Sequence, residues 1–308
     1  MLRWFAGRIL YAGAVLLGAA TLVFLLVHGA GDPIDGLTPP GSAPEDRAAL
    51  ARAYGLDRPL PEQYVSFVTR AARGDFGESW RQGRPALVAV LERLPATLLL
   101  AGGATALAAL AGTALGLAAG ARPGSTLDAL ARGVAMLGQA MPQFWLGSLL
   151  ILAFAVHLRW LPSSGFAGPA SAVLPVLTLA AFPFATTMRL VRAGVVGALG
   201  EDWVRTARSK GLAEGRVLTG HVLRNALLPV LAFIGFQAAF LLSGAAVVES
   251  VFAWPGIGSL ALSAAADRDL PVIEAFVAVV AVLLVATNLA VEVASCWLDP
   301  RLRPGGVA

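Results

Sequence analysis

Apolar runs of about twenty residues alternate with charged segments along this chain, and that alternation limits the fold more than any single motif does. They fall at about 9–27, 94–120, 133–156, 173–190, 227–248 and 273–297. A helix rising 1.5 Å per residue needs about 20 such residues to cross a hydrocarbon layer about 30 Å thick. Lipid offers no water to backbone amides, so each run must satisfy its own hydrogen bonds as a helix. A content of 57% hydrophobic and 14% charged residues, with mean hydropathy +0.73, leaves more apolar surface than a soluble fold of this size could hide. The expected fold is therefore an all-α integral membrane protein with six transmembrane helices. Outside the bilayer it has a polar region between the first two spans, open between a small external cap and a long linker, and a basic cytoplasmic loop between the fourth and fifth. The first run follows Arg3 and Arg8, is long for a signal peptide, and meets His28 where small residues would precede a cut. It reads as a retained anchor.

Charge orients the chain. The segments assigned to the inside hold 13 Lys or Arg against 5 acids, and those outside hold 10 against 13. Excess cation in short loops stays cytoplasmic, which puts both termini inside. The sequence pI near 10.0 then reflects cytoplasmic arginines, and no nucleic-acid partner is expected. Three regions follow: an N-terminal anchor at 1–28, an extracytoplasmic cap region at 29–92, and a core at 93–308 that carries the basic loop 201–229.

Within the cap, 48–54 and 61–72 read as short amphipathic helices, the second with Tyr64, Val65 and Val68 on one face. Turns are expected at 56–59, 74–77 and 83–85. In the second span, Gly112, Gly116 and Gly120 recur four apart and leave a flat strip against which another helix can pack closely. Residues 122–132 read as a short basic turn. Gln139 and Gln143 are also four apart and would share a helical face beside Pro142. With Gln237, Ser243 and Asn288 they are polar side chains at membrane depth, where such groups face protein or water. Interhelical hydrogen bonding and the lining of a translocation path are both open readings. Trp4, Trp160, Trp254 and Trp297 lie near span ends, as interfacial rings do, and Trp254-Pro255-Gly256 reads as a tight turn.

Several chemistries are excluded. Lys210 is the only lysine, and it stands between Ser209 and Gly211 rather than before Ser or Thr, so the chain has no phosphate-binding P-loop. No cofactor is expected in this chain; any ATP that drives it is hydrolysed by another. Cys296 is alone, so neither a disulfide nor a thiolate metal centre is expected. No catalytic residue is assigned. His221 and Asn225 lie in the basic loop with no serine placed in a span to pair with them, which sets aside an intramembrane hydrolase. A self-contained secondary transporter is the alternative, and it needs ionisable groups at mid-membrane depth. Glu292 is the one acid read as a candidate, near the inner face, and no inverted repeat is evident.

The loop 201–229 sets Arg205, Arg208, Lys210, Arg216 and Arg224 against Glu201, Asp202 and Glu214. Val204, Ala207, Gly211 and Leu212 recur at helical spacing and predict a short helix with one narrow apolar stripe. Gly211 after Lys210 is a helix stop, because glycine takes the left-handed conformation. A second short helix fits 214–225, with Val217, Leu218, His221 and Val222 on one side. A solvated loop would satisfy the charge rule alone, whereas the stripe and the glycine break point to a docking surface for a soluble partner.

Arg205-Thr206-Ala207-x-x-x-Gly211, then Arg216-Val217 and His221-x-Leu223-Arg224-Asn225-Ala226-Leu227-x-Pro229, resembles the cytoplasmic "EAA" loop of ABC-importer permeases. It is most similar to the dipeptide/oligopeptide/nickel branch. The wider superfamily has Glu-Ala at the positions of Arg205 and Thr206, and its Leu-Pro comes several residues earlier than Leu228-Pro229. Leu56-Asp57-Arg58-Pro59, Gly74-Asp75-Phe76-Gly77, Glu249-Ser250-Val251-Phe252, Trp254-Pro255-Gly256 and Leu298-Asp299-Pro300-Arg301 are family-like as well. The resemblance implies a multi-pass protein of a bacterial or archaeal inner membrane, embedded in lipid. It would pair with a sibling permease as a heterodimer, two ABC ATPase subunits and an extracytoplasmic substrate-binding protein. The implied solutes are peptides, nickel chelates or glutathione. The implied ATPase-coupling residues are Arg205, Thr206, Ala207, Arg208, Lys210, Gly211 and Leu212. Ala207 and Gly211 would be the close-contact positions, and the three cations would complement an acidic ATPase cleft.

Overall fold

The computed structural model describes residues 2–29, 34, 38 and 43–298. In order, the helices are α1 (Leu2–Gly29), α2 (Pro44–Tyr54), α3 (Leu60–Ala71), α4 (Ala86–Ala121), α5 (Thr126–Ala140), α6 (Gln143–Leu150), α7 (Pro169–Leu199), α8 (Asp202–Ser209), α9 (Glu214–Arg216), α10 (Leu223–Val251), α11 (Ile257–Ala266) and α12 (Leu270–Leu298). Wider π-type turns extend α6 over Ile151–His157 and join α9 to α10 over Val217–Val222. Among the described residues there is no strand, only a lone bridge between Glu78 and Pro85. Ala86–Ala121, Pro169–Leu199 and Leu270–Val293 are each long and apolar enough to cross a membrane. The pair Thr126–Ala140 and Gln143–His157 passes the same test together but is bent by 112°.

That bend corrects the reading of 133–156 as one helix. The ring of Pro142 crowds the residue before it and its nitrogen donates nothing, so Met141 leaves the helical region at φ −84° and ψ 128°. Gln139 ends one helix and Gln143 begins another, and they share no face. The expected basic turn at 122–132 is likewise half helix. Ser125 caps α5 by accepting from the Asp128 amide at 3.2 Å, a Ser-x-x-Asp start signal legible in the sequence.

By its contacts the chain forms two compact units. The first gathers the described residues up to Thr97 and from Pro255 to Ala286. Its core is Phe24 of α1, Phe67 of α3, Phe76, and Ala86, Ala89 and Val90 of α4, with Ile257, Leu260, Val272 and Ala275. On α3, Tyr64 and Val68 pack inward as expected, but Val65 is exposed and Phe67 is the buried anchor. Thr21 and His28 of α1 meet Tyr64 Oη at 2.6 Å and Gln63 Oε1 at 3.0 Å. The buried Asp269 carboxylate accepts from Ser79 Oγ at 2.5 Å, Trp80 N at 3.1 Å and Arg81 N at 3.3 Å. A cavity of about 520 Å3 among α1, α3, α4 and α12 is apolar except for Glu274, a second acid in the last apolar run beside Glu292.

The second unit gathers the described residues from Leu98 to Trp254 and from Thr287 on, and α7 is its centre. The glycine strip of α4 lies along it as the spacing implies. A Cβ on Gly112 would come within 3.0 Å of Phe184 O, one on Gly116 within 2.6 Å of Met188 O, and one on Gly120 within 2.8 Å of Val195 Cβ. On another side α5 packs Ala131 and Ala135 against Ala185 and Met188. On a third, Ala226 of α10 lies 2.9 Å from where a Gly194 Cβ would be. Trp160 is 70% exposed, whereas Trp254 is buried, its ring edge-on to Phe166 with centroids 4.8 Å apart. Trp254 is a core residue and not an interfacial one. The side chains of Trp4 and Trp297 lie outside the described residues.

Candidate functional site

After α7, Glu201 turns the chain in extended conformation and α8 begins at Asp202. Val204 and Ala207, three apart, are buried on the same cluster as Val191 and Val195 of α7 and Val217, Val222, Ala226 and Val230 of the following helix. Leu212 packs on its edge. The eight-residue helix is too short to hold itself in water, so this apolar contact is what fixes it. Gly211 ends it at φ +77°, its amide bonded to Arg208 O at 2.9 Å.

The expected second short helix is the start of a long one. From Glu214 the chain stays helical through α9 and the π-type turns into α10, which ends at Val251. Val217 and Val222 are buried, but His221 is exposed. The period changes there because the wider turn moves His221 off the buried face.

The polar side of α8 is exposed and largely self-paired. Arg205 bonds Asp202 one turn back. The Thr206 hydroxyl donates to Asp202 O at 3.0 Å. Arg208 grips Glu214 with Nε at 3.1 Å from Oε2 and Nη2 at 2.6 Å from Oε1. That hydrogen bond holds the Glu214 carboxyl below its ordinary range and raises the Arg208 guanidinium further. Lys210 is exposed and makes no ion pair among the described residues. Among the described residues the loop thus offers two paired cations, Arg205 and Arg208, and three exposed ones without an ion pair, Lys210, Arg216 and Arg224.

The four described polar side chains of the spans do not form one cluster. Gln139 Nε2 donates to Thr186 Oγ1 at 2.9 Å, and its Oε1 accepts from Arg189 Nη1 at 2.6 Å. Gln143 is partly buried, Gln237 is buried and Asn288 is exposed. Among the described residues these four share no hydrogen bond with one another. The Ser243 side chain lies outside the described residues.

One pair went unread in the sequence. Arg192 Nε and Nη2 bond both oxygens of Asp128 at 2.5 and 2.8 Å. Gly124 N donates to the same carboxylate at 3.0 Å, and Arg132 stands 3.6 Å away. The helix-start signal at Ser125 would have placed Asp128 on a helix; nothing in the sequence paired it with Arg192, on a different helix.

Residues 112–304 match the model of the binding-protein-dependent transport system inner membrane component family. The chain is 36% identical to an oligopeptide transport system permease protein of Bacillus subtilis (strain 168), over 98% of this chain and 99% of that one. It is 33% identical to a dipeptide transport system permease protein of Escherichia coli (strain K12), at the same coverage. Identity to a glutathione transport system permease protein of Salmonella typhimurium is 38%, again over 98% and 99%. Among solved structures, the crystal structure of an amino acid ABC transporter with histidines shares the fold, with TM-score 0.52 and 18% identity over 67% of this chain and 92% of that one.

Proposed function

Because this chain belongs to the family of binding-protein-dependent transport system inner membrane components, we propose that it is the permease subunit of an ATP-driven importer. It supplies half of a translocation pathway for peptides or a similar small solute. Six spans place both termini in the cytoplasm. A sibling permease completes the pathway, an extracytoplasmic binding protein delivers the solute, and two separate ATPase subunits hydrolyse ATP. The chain itself is a transport subunit, not an enzyme.

The observation that carries this reading is the anchoring of α8. Val204 and Ala207 are buried on one cluster that also contains residues of α7 and of the helix leading into α10. A force applied to the exposed face of α8 therefore reaches two long apolar helices at once. Closure of the ATPases would move them together as a body, switching the pathway between outward- and inward-open states. In this role Gly211 is the close-contact position and Arg205, Thr206, Arg208 and Lys210 form the docking surface, whereas Ala207 and Leu212 face inward and hold α8 to the spans.

Gly211→Asp tests the loop. A Cβ there meets nothing within 4 Å, and aspartate is among the few residues that visit the left-handed region. The variant is expected to reach the membrane at normal level and to lose ATP-dependent uptake. Normal uptake would sink the docking role. Purification in mild detergent is expected to recover the ATPases and the sibling with the chain; a chain that elutes alone and transports without ATP would establish the secondary transporter instead.

A further inference from the structure

Arg189 and Arg192 lie one helical turn apart on α7 and are treated very differently. Arg192 is neutralised by both oxygens of Asp128. Arg189 is exposed, and among the described residues it has no carboxylate partner, only the amide oxygen of Gln139 at 2.6 Å. It lies at the inner end of the fourth apolar run, in a helix long and apolar enough to span the membrane, where a charged side chain pairs with another or faces water.

Its setting favours water. A strip of α7 formed by Phe182, Thr186, Arg189, Ala193 and Val196 stays open beside α5, while nearer the start of the helix Val173 and Leu177 are exposed on another side. More of α7 is buried than of either other long span, 56% of its apolar window against 28% and 33%. An open strip that carries a hydroxyl and a guanidinium suits water or protein and not lipid. Beside that strip, α5 ends at Ala140 and the path bends by 112° into α6.

The guanidinium is also oriented. Gln139 Nε2 is committed to Thr186 Oγ1, which leaves its Oε1 for Arg189 Nη1. A guanidinium has five N–H donors, so most of the fork stays available, and that fork matches a carboxylate in a bidentate pair.

We propose that Arg189, oriented by Gln139 and Thr186, is the recognition point for the carboxylate of a solute crossing the membrane. This rests on the importer reading and adds to it the chemical class of the group recognised. Gln139 acts as a positioning residue.

The test uses the complete complex with its ATPases in phosphatidylcholine vesicles, with dialanine and its C-terminal amide as probes. Arg189→Gln is expected to lower dialanine uptake roughly tenfold, the scale of a lost charge-assisted hydrogen bond, acting through KM. Amide uptake and ATP hydrolysis stay unchanged, and Arg189→Lys recovers part of the loss. Equal loss for both probes, or unchanged dialanine uptake, overturns the proposal. So does an effect that appears only when phosphatidylglycerol is added, which would assign Arg189 to lipid headgroups. If the wild-type complex imports neither probe, the peptide reading fails on its own, and labelling decides Arg189. With Cys296→Ser as background, Arg189→Cys in the assembled complex must react with a water-soluble thiosulfonate. Protection from that reagent would place the residue against lipid or the sibling and end the proposal.

Discussion

Gly116 in the α4–α7 seam and Gly211 after α8 have opposite reasons for lacking a side chain. At Gly116 the backbone is ordinary helix and the neighbours leave no room, with Met188 O 2.6 Å and Val191 Cβ 2.8 Å from where a Cβ would stand. At Gly211 there is open space and an unusual backbone, φ +77°. The charges divide the same way. On the α5 side of α7, Asp128 is 1% and Arg192 24% exposed, whereas the loop pairs are 72% with 90% and 42% with 54%. Buried pairs are costly to break from one side, and exposed ones contribute little. The packing around α7 thus fixes a structure, while the loop presents groups that can exchange partners without unfolding anything.

The sharpest way to break this contrast is Gly116→Val. Overpacking usually costs about 1–3 kcal/mol, and here the obstacle is a carbonyl on the backbone of α7 rather than a flexible side chain. A loss of about 3 kcal/mol is expected, read as little folded protein recovered from the membrane and a lowered melting temperature. A variant as stable as wild type would mean that the seam is not closed by space. The next effect in size is Asp128→Ala, which leaves Arg192 partly buried without its carboxylate and the Gly124 amide without its acceptor. Folded yield is expected to fall several-fold. The double variant Asp128→Leu with Arg192→Met should recover most of it, because apolar replacement of a buried pair is often neutral. No recovery would show that the two side chains act separately.

Much of this was legible because the periodicities are local. The glycine strip, the apolar stripe of Val204 and Ala207, and the stop at Gly211 each depend on spacings of three or four residues, which helical geometry fixes. Three features were not. The apolar run across Pro142 is long enough to mask the break there, and the four-residue spacing of Gln139 and Gln143 then imitates a shared face. The one-sided pattern of Val217, Leu218, His221 and Val222 supports a helix only over 214–225, whereas the backbone hydrogen bonds continue to Val251. Asp128–Arg192 and Asp269–Ser79 join residues far apart in the chain, and no local pattern encodes such pairs.

The smallest expected effect tests the loop side of the contrast. Glu214→Gln keeps an oxygen that can accept from Arg208 and removes the charge from a half-exposed group. The carboxyl titrates below its ordinary value in the folded protein because Arg208 bonds it. A depressed pKa means that the pair contributes stability above the ordinary glutamate range, about 4.3, and loses it as pH falls through the lower folded value. Between pH 8 and 5 the wild type should therefore melt only marginally above the variant, and below about pH 4 the two curves should converge as the wild type loses that small advantage. A clear drop in melting temperature for Glu214→Gln at pH 7 would mean that the loop is held by charge as the Asp128 side of α7 is. The exposed pairs would then be structural, and Arg208 would not be free to leave Glu214 for a partner's carboxylate. If the difference at pH 7 stays that small, α8 is held by the packing of Val204, Ala207 and Leu212, and its charged face is left to the partner.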